Sequence, residues 1–551
     1  MDKYDYVIVG AGSAGCVLAS RLSEDPKNSV LLIDAGGKND QYFIKMVGGF
    51  FKNFGNPEFF WFFPIKPLLG RPKETQAYGK GLGGSSAVNG TWYLHGMPKD
   101  YDSWADKGLE EWSWDHISRC VRWMEDFRDP GAHEGRGQGG PVQITKSDYS
   151  SPVISALVDG AKELGVEWTE DITTPGKPAI GRTQYTVDRK GERVSSYTAF
   201  IAPIRSKRPN LTIRTETFVK NLKIENGRAV GVDCETDGEN ISFAAEKEVI
   251  LSAGVYMSPK LLQLSGIGPA DLLKKHGIGL KKDLPAVGQN LYDHQSVTIS
   301  YDLENNPGIN REYTGWRVYK NALKYMLGGQ GLMARVGLPL TMFYSTDGQT
   351  DWPDLQVGAA PFAMKSSKEM KTDPGQGPLD ARPGITFSGF HLRPKSTGSV
   401  TITSADYKEP PLVDAGWWKD KSDSDMAVKL VKFLRRWANT ESMSKFVGKE
   451  RVPGTNVQSD DALKEELKWI LSPALHGTGT CSMGTDPADS VVDSRCRVHG
   501  VMGLRVVDCS IMPSPVSGNT NGPAMAVAVR ASELILEDAG SMAAKVMEPA
   551  T

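Results

Sequence analysis

The sequence predicts an α/β protein of two domains, and three observations carry the prediction. The opening run YDYVIVGAGSAGCVLASRLSEDPKNSVLLIDAGG reads as an apolar strand, a glycine turn, a helix and a second apolar strand that ends at Asp34. The length, 551 residues, exceeds what one hydrophobic core supports, so a second domain is expected and interleaving of the two is open. Farther along, GITFSGFHLRPKSTGSVTITS alternates apolar residues between turn glycines, as antiparallel strands do, and SDMAVKLVKFLRRWANT has helical spacing.

Each piece of the opening unit has a physical reason. Val17, Leu18 and Leu22 fall on one face of the helix and turn it inward onto the sheet. Gly10 makes the tight turn, Gly12 lets a pyrophosphate approach the backbone at the helix N-terminus, and Gly15 lets the helix sit close on the strand. Ser13 and Ala14 continue that turn, and Ala35 follows the acid. Asp34, at the tip of the second strand, is expected to accept hydrogen bonds from a ribose diol, which disfavours a ribose 2′-phosphate and therefore NADP. Strand, turn, helix, strand and acid in this order mark a Rossmann-like dinucleotide unit, with FAD and NAD left undecided by the motif itself.

Composition narrows the partners. Lys plus Arg (64) nearly balances Asp plus Glu (66), which argues against a nucleic-acid binder and leaves no polybasic tract. The six cysteines are scattered without framework spacing and the chain opens on MDKYDYVIVG, so a reducing compartment, the cytoplasm, is expected. No apolar run approaches the roughly 18 residues of a spanning helix.

A second glycine-rich stretch, YGKGLGGSSAVNGTWYLHG, places Gly83, Gly84, Ser85 and Ser86, then Asn89 and Gly90, where amides and hydroxyls can meet phosphate and ring edges. The run ALHGTGTCSMG sets His476 among small, flexible residues in a chain with eight histidines. No second histidine or cysteine stands at ligand spacing around His476 and Cys481, so no metal is expected, and a catalytic base remains open.

With these stretches on view, the chain resembles the glucose–methanol–choline (GMC) oxidoreductase family. The resemblance rests on the opening glycine turn, the GKGLGGSS loop, GVYMSPKLLQLSGIG at 254–268, VGQNLYDH, HLRPKSTGSV, the HGTGT segment and LRVVDCSIMPSPVSGNTNGPAMAVAVRASELI, and so spans nearly the whole chain. One departure is Val255, where a small residue is usual.

The resemblance implies FAD, and oxidation of an alcohol to the aldehyde or ketone by hydride transfer to flavin N5. It implies His476 as base and Asn519 as its partner, with Asn521 a nearby rival that counting back from VRASELI disfavours. Asn519 cannot be a base, but its amide can hold the substrate oxygen. The acid limb of the rate is then expected within about one to two units of the imidazole's ordinary value of roughly 6.5. Asp508 and Thr520 match positions near the FAD, and Val219 one that lines the adenine pocket. Val88 stands where some members carry a tethering histidine, so the FAD is expected to be non-covalent, with His95 the remaining alternative for a tether.

The resemblance also sets the architecture: an FAD module over 1–300, a substrate domain with an antiparallel sheet and helices over 301–465, and a C-terminal return over 466–540 that completes the FAD domain. A helix is expected to begin at Pro523 with its positive end toward the flavin. The Gly-rich stretch FRDPGAHEGRGQGGPVQ suggests a lid loop; most aromatics of YFIKMVGGFFKNFGNPEFFWFFPIKP are expected to pack in the core, and an exposed one or two would favour an apolar or aromatic alcohol over a sugar. The acceptor, O2 or a dye- or quinone-like molecule, is undetermined. A non-redox use of the scaffold, hydroxynitrile-lyase-like or photodecarboxylase-like, and a non-catalytic flavin binder are the alternatives.

Overall fold

The first strand, Asp2–Val9, lies between two parallel neighbours, Val30–Ile33 and Glu239–Leu251, and is buried from Tyr6 onward because helices cover the sheet. Leu211–Arg214 extends the parallel sheet beyond Val30–Ile33, and Leu504–Val506 pairs in parallel with the end of Glu239–Leu251. The return of the chain near residue 504 is therefore an added strand of the first sheet. Arg228–Thr236 and Thr217–Glu225 continue the sheet in antiparallel fashion. The helix Ser13–Leu22 is buried along almost its whole length between this sheet and the closing helix, Asn521–Asp538. These features belong to a computed structural model that describes residues 1–49, 55–173, 177–328, 331–334, 338–348, 351–364, 380 and 382–540.

The second sheet runs in the order Val447–Val452, Gln295–Leu303, Gly384–His391, Leu355–Ala360, Leu340–Tyr344, Ala179–Arg182, all antiparallel, with Glu167–Trp168 parallel at the far edge. The helix Lys421–Ala438, capped by the Asp420 carboxylate on the Ser422 N–H, packs across it. Phe387 of the sheet meets Trp437 of the helix edge to face, with ring centroids 5.3 Å apart.

The sequence boundary at 300 cuts through Gln295–Leu303, the second strand of this sheet, and two of its strands come from within the first three hundred residues. Strand pairing is non-local, so composition along the chain carries no mark of it. The closing helix starts at Asn521, two residues before Pro523, which still lies in the first turn. The Gly-rich stretch read as a lid is pinned instead. Arg136 within it is buried, bonds Glu125 (2.8 Å) and Asp171 (2.9 Å), and lies 4.0 Å over the Phe127 ring. Of the aromatic stretch near residue 50, residues 50–54 lie outside those described; Phe59, Phe60 and Phe63 are core, while Tyr42 and Phe43 are exposed.

Candidate active site

A cavity of about 500 Å³ opens between the two sheets. At one end it is walled by the glycine turn and the start of the first helix. Gly10 has φ +101°, and a Cβ there would come within 2.4 Å of the Ser252 carbonyl oxygen. Gly15 is equally constrained, since its Cβ would fall 1.8 Å from the Gly10 carbonyl oxygen. Gly12 is different: a Cβ there meets nothing within 4 Å and would project into free space beside the helix N-terminus. No acidic residue stands in the first turn of that helix, so its free N–H groups favour an anion.

Of the residues singled out in the sequence, Gly10, Gly12, Ser13, Ala14, Asp34, Ala35, Gly84, Ser85, Asn89, Gly90, Val219, Asp508, Asn519, Thr520 and His476 all line this cavity. Gly15, Gly83 and Ser86 stand behind the wall. Gly15 packs helix on strand, Gly83 makes the turn at φ +90°, and the Ser86 hydroxyl is spent on the Gly83 carbonyl at 2.5 Å. Asp34 is also less free than a ribose acceptor need be. Its carboxylate already accepts the N–H groups of Ala11 (2.8 Å), Gly36 (2.8 Å) and Gly81 (3.1 Å), and so ties the two glycine loops together. One of a carboxylate's roughly four acceptor sites remains. Asp508 accepts from Gly254 N–H, the Ser258 hydroxyl and Ser510 N–H, which joins two loops in the same manner. Val88 lines the cavity, whereas His95 is buried elsewhere against Trp114, its Nδ1 3.0 Å from the Gly96 carbonyl. His476 is the histidine of the cavity wall among the described residues.

At the other end, four side chains form one directed chain of hydrogen bonds. The Leu392 carbonyl lies 3.0 Å from His294 Nε2 and can only accept, so His294 carries its proton on Nε2. His294 Nδ1 is then a lone pair, and the 3.0 Å contact with His476 Nδ1 requires the proton on His476 Nδ1. That leaves His476 Nε2 bare. It accepts from Asn519 Nδ2 at 2.9 Å, while Asn519 Oδ1 accepts from Gln356 Nε2 at 3.2 Å. Phe390 stacks on His294 with centroids 4.8 Å apart and meets the His476 ring edge on, which fixes both planes.

The backbone beneath His476 is held as deliberately. Leu475 sits at φ +62°, a conformation leucine rarely adopts. Asp293 Oδ1 accepts the His476 N–H at 2.8 Å, while its buried Oδ2 has no hydrogen-bond partner among the described residues. Burial raises the Asp293 carboxyl to about 7. Burial likewise pushes the His476 imidazole down to about 3 and His294 well below its ordinary value. The sequence expectation of a base titrating near 6.5 is thereby corrected: in this enclosure the ring stays neutral far into acid, because a buried imidazolium would lose its hydration. His294, Asp293 and Gln356 were absent from the sequence reading of the site. Only the VGQNLYDH segment hinted at the first two, and nothing local marks Gln356 in a strand.

The geometry agrees with what this chain is similar to. GMC oxidoreductase family models match residues 4–296 and 394–528. Over 542 residues the chain is 33% identical to oxygen-dependent choline dehydrogenase 1 of Chromohalobacter salexigens, covering 97% of this chain and 95% of that protein. Among solved structures, pyridoxine 4-oxidase from Mesorbium loti superposes with a TM-score of 0.84 at 27% identity, covering 95% of this chain and 97% of the other. Formate oxidase of Aspergillus oryzae RIB40, studied for modification of its FAD, gives 0.89 at 26% identity with 98% of each chain covered. An open dinucleotide cradle, a neutral imidazole facing the same cavity and these matches lead to one conclusion: the chain belongs to the GMC oxidoreductase family, and its reaction is the FAD-dependent oxidation of an alcohol.

Proposed function

We propose that the alcohol is uncharged with an apolar or aromatic body, that His476 is the base, and that Asn519 holds the hydroxyl oxygen. The observation that carries the assignment of base is the direction of the hydrogen-bond chain, which leaves a lone pair on His476 Nε2 at the cavity. The residues present suit FAD: the space beside Gly12, Gly90 and Gly254, where a Cβ would meet nothing within 4 Å, is a cradle for a phosphate chain and a ring system. FAD, when bound, supplies the acceptor for the hydride that leaves the carbinol carbon. Gly12, Ser13, Gly84, Ser85 and Asn89 would hold it.

The chain's own residues then have separable tasks. His476 Nε2 takes the hydroxyl proton. An Asn519 N–H occupies the Nε2 lone pair in the structure, so the substrate hydroxyl displaces it to reach Nε2, and the freed amide N–H holds the substrate oxygen. The enclosure that keeps Nε2 bare makes the imidazolium costly, so proton removal is favoured only with the developing alkoxide beside it. Gln356 fixes which way the Asn519 amide faces.

The wall supports this substrate class. Trp92, Phe390, Val357, Ser296 and Ser388 line it. Its described carboxylates are Asp34 and Asp508, both engaged by backbone N–H groups. The aromatic rings of this wall, with both carboxylates engaged by backbone N–H groups, support a substrate with an apolar or aromatic body, and choline, whose quaternary ammonium such rings could also receive, is the test case. Non-covalent FAD is supported by Val88 at the tether position, and a reducing compartment, the cytoplasm, by six unpaired cysteines. Anaerobic mixing with benzylic and aliphatic alcohols is expected to bleach the flavin absorbance faster than mixing with choline. Faster bleaching by choline would reject the proposed substrate class. Acid precipitation is expected to release the flavin, and re-oxidation by air or by an added dye sorts oxidase from acceptor-linked dehydrogenase.

A further inference from the structure

Outside the cavity wall, the helix Trp316–Gly328 is clad on one side only. Tyr325 is buried, and its hydroxyl donates to the Gly191 carbonyl at 3.1 Å; Asn321 anchors the same side on Glu312. At 3.6 residues per turn, Trp316, Tyr319, Leu323, Met326 and Leu327 share an arc of about 100° on the outer side. They are 66%, 78%, 52%, 59% and 81% exposed. Single exposed apolar residues are ordinary on proteins, but five on one stripe of one helix are not.

The charge on the helix is as one-sided as its apolarity. Its sequence, WRVYKNALKYMLG, contains three cations and no acid in a chain whose net charge is −2. Lys320, Lys324 and Arg317 follow one another along one flank of the apolar arc. Arg317 faces Glu312 at 3.6 Å; among the described residues Lys320 and Lys324 have no acidic partner. Exposed Tyr42 and Phe43 extend the apolar surface, since the Tyr42 ring lies 6.2 Å from Tyr325.

We propose that this face docks on an anionic lipid surface, with the Trp316, Tyr319, Leu323, Met326 and Leu327 side chains entering the interface and Lys320 and Lys324 at the headgroups. An apolar stripe flanked by lysines, with Trp and Tyr among the apolar residues, is the composition that lies in the plane of such an interface. The alternative occupant, a second copy, is disfavoured by charge, because an antiparallel two-fold contact would bring the Lys320 and Lys324 flanks together and a parallel one would leave them without an acidic counterpart on the same helix of the partner. The same helix rests on Met333 and Ala334, and Leu338 of the cavity wall follows within about 14 Å of chain. A docked molecule would thus hold one edge of its cavity near the lipid phase.

The proposal goes beyond alcohol oxidation and is tested by location, not by rate. The holoenzyme is expected to co-sediment with vesicles of phosphatidylcholine containing phosphatidylglycerol, more weakly with phosphatidylcholine alone and more weakly as salt rises. Lys320→Gln with Lys324→Gln is expected to weaken binding about 25-fold, roughly fivefold for each lysine. Leu323→Ser with Leu327→Ser is expected to abolish it, and both variants are expected to keep the wild-type rate of flavin reduction by a soluble alcohol. Failure of the wild type to sediment with anionic vesicles overturns the proposal, as does sedimentation that the double serine variant leaves intact. A vesicle-free dimer, seen by analytical ultracentrifugation and dissociated by the serine variant, would also overturn it by assigning the face to self-association.

Discussion

At the dinucleotide end of the cavity the polar groups are backbone amides and small side chains drawn from two short stretches, residues 10–13 and 84–90, whereas at the His476 end they are side chains from four segments between His294 and Asn519. The first end is shaped by where a Cβ cannot go. The second is shaped by which atom of each side chain holds a proton. A substitution at the first end therefore acts through sterics and binding, and one at the second acts through rate with the cofactor still in place.

The largest expected effect separates the two ends directly. His476→Ala is expected to slow flavin reduction by alcohol about a hundredfold or more, the usual scale for a positioned base, with the flavin spectrum retained; stopped-flow measurement of reduction checks it. A normal rate would place the base elsewhere. Within the dinucleotide end, two glycines three residues apart divide in the same manner. Gly15→Ala is expected to prevent soluble folding, because its Cβ would lie 1.8 Å from a backbone oxygen, whereas Gly12→Ala is expected to leave the melting temperature of the flavin-free protein unchanged and to weaken FAD binding. Equal loss of stability in both would show that the space beside Gly12 is not a ligand cradle.

Smaller effects sharpen the account of the His476 end. His294→Phe removes the acceptor that holds the His476 proton on Nδ1, and reduction is expected to fall about ten- to hundredfold, as for other residues that orient a functional imidazole. His294→Gln, whose amide oxygen can accept, is expected to recover part of it. Gln356→Met is expected to cost only about two- to tenfold, the range of one net hydrogen bond.

The pH dependence is the finest test. Because burial holds His476 near 3, the reduction rate is expected to show no acid limb of this histidine near 6.5. A limb near 6.5 that vanishes in His476→Ala would reject the enclosed geometry. For stability, His476 is lowered from 6.5 to about 3, so its contribution is present above 6.5 and is lost as pH falls through the window toward 3. Asp293 has the opposite sign. Its folded value of about 7 lies above the ordinary 3.8, so its contribution is complete below 3.8 and lost as pH rises through 7. In urea melts of the flavin-free protein, the change in stability from pH 5 to pH 8 is expected to be more favourable in Asp293→Asn than in the wild type, because the loss carried by Asp293 is removed while the opposite contribution of His476 stays.

The legible half of the site was the local half. Gly10, Gly12 and Asp34 could be read because a strand, a turn and a helix adjoining in sequence are adjoining in space. Even there Asp34 acquired a second task, tying Gly81 to Ala11, that needs a loop 47 residues beyond Asp34 to come back to it. The standing of Gly83 and Ser86 behind the wall was equally hidden, because a glycine-rich loop does not announce which of its residues faces inward.

The sequence by itself determined that a dinucleotide turn opens the chain, that His476 and Asn519 are candidates for the chemistry, and that the chain leaves the first domain and returns. Tertiary structure alone decided that the return is a parallel strand at Leu504–Val506 and that Gln295–Leu303 belongs to the second sheet. It also decided the protonation of His476. A turn or a helix is specified by neighbours a few residues away, so its cause lies within the stretch that forms it. The lone pair on Nε2 depends on a carbonyl at Leu392, a ring at His294 and an amide at Asn519, groups whose separation in the chain exceeds 40 residues at each step except the covalent ring itself. Only folding can set the direction of a proton chain whose links come from such distances.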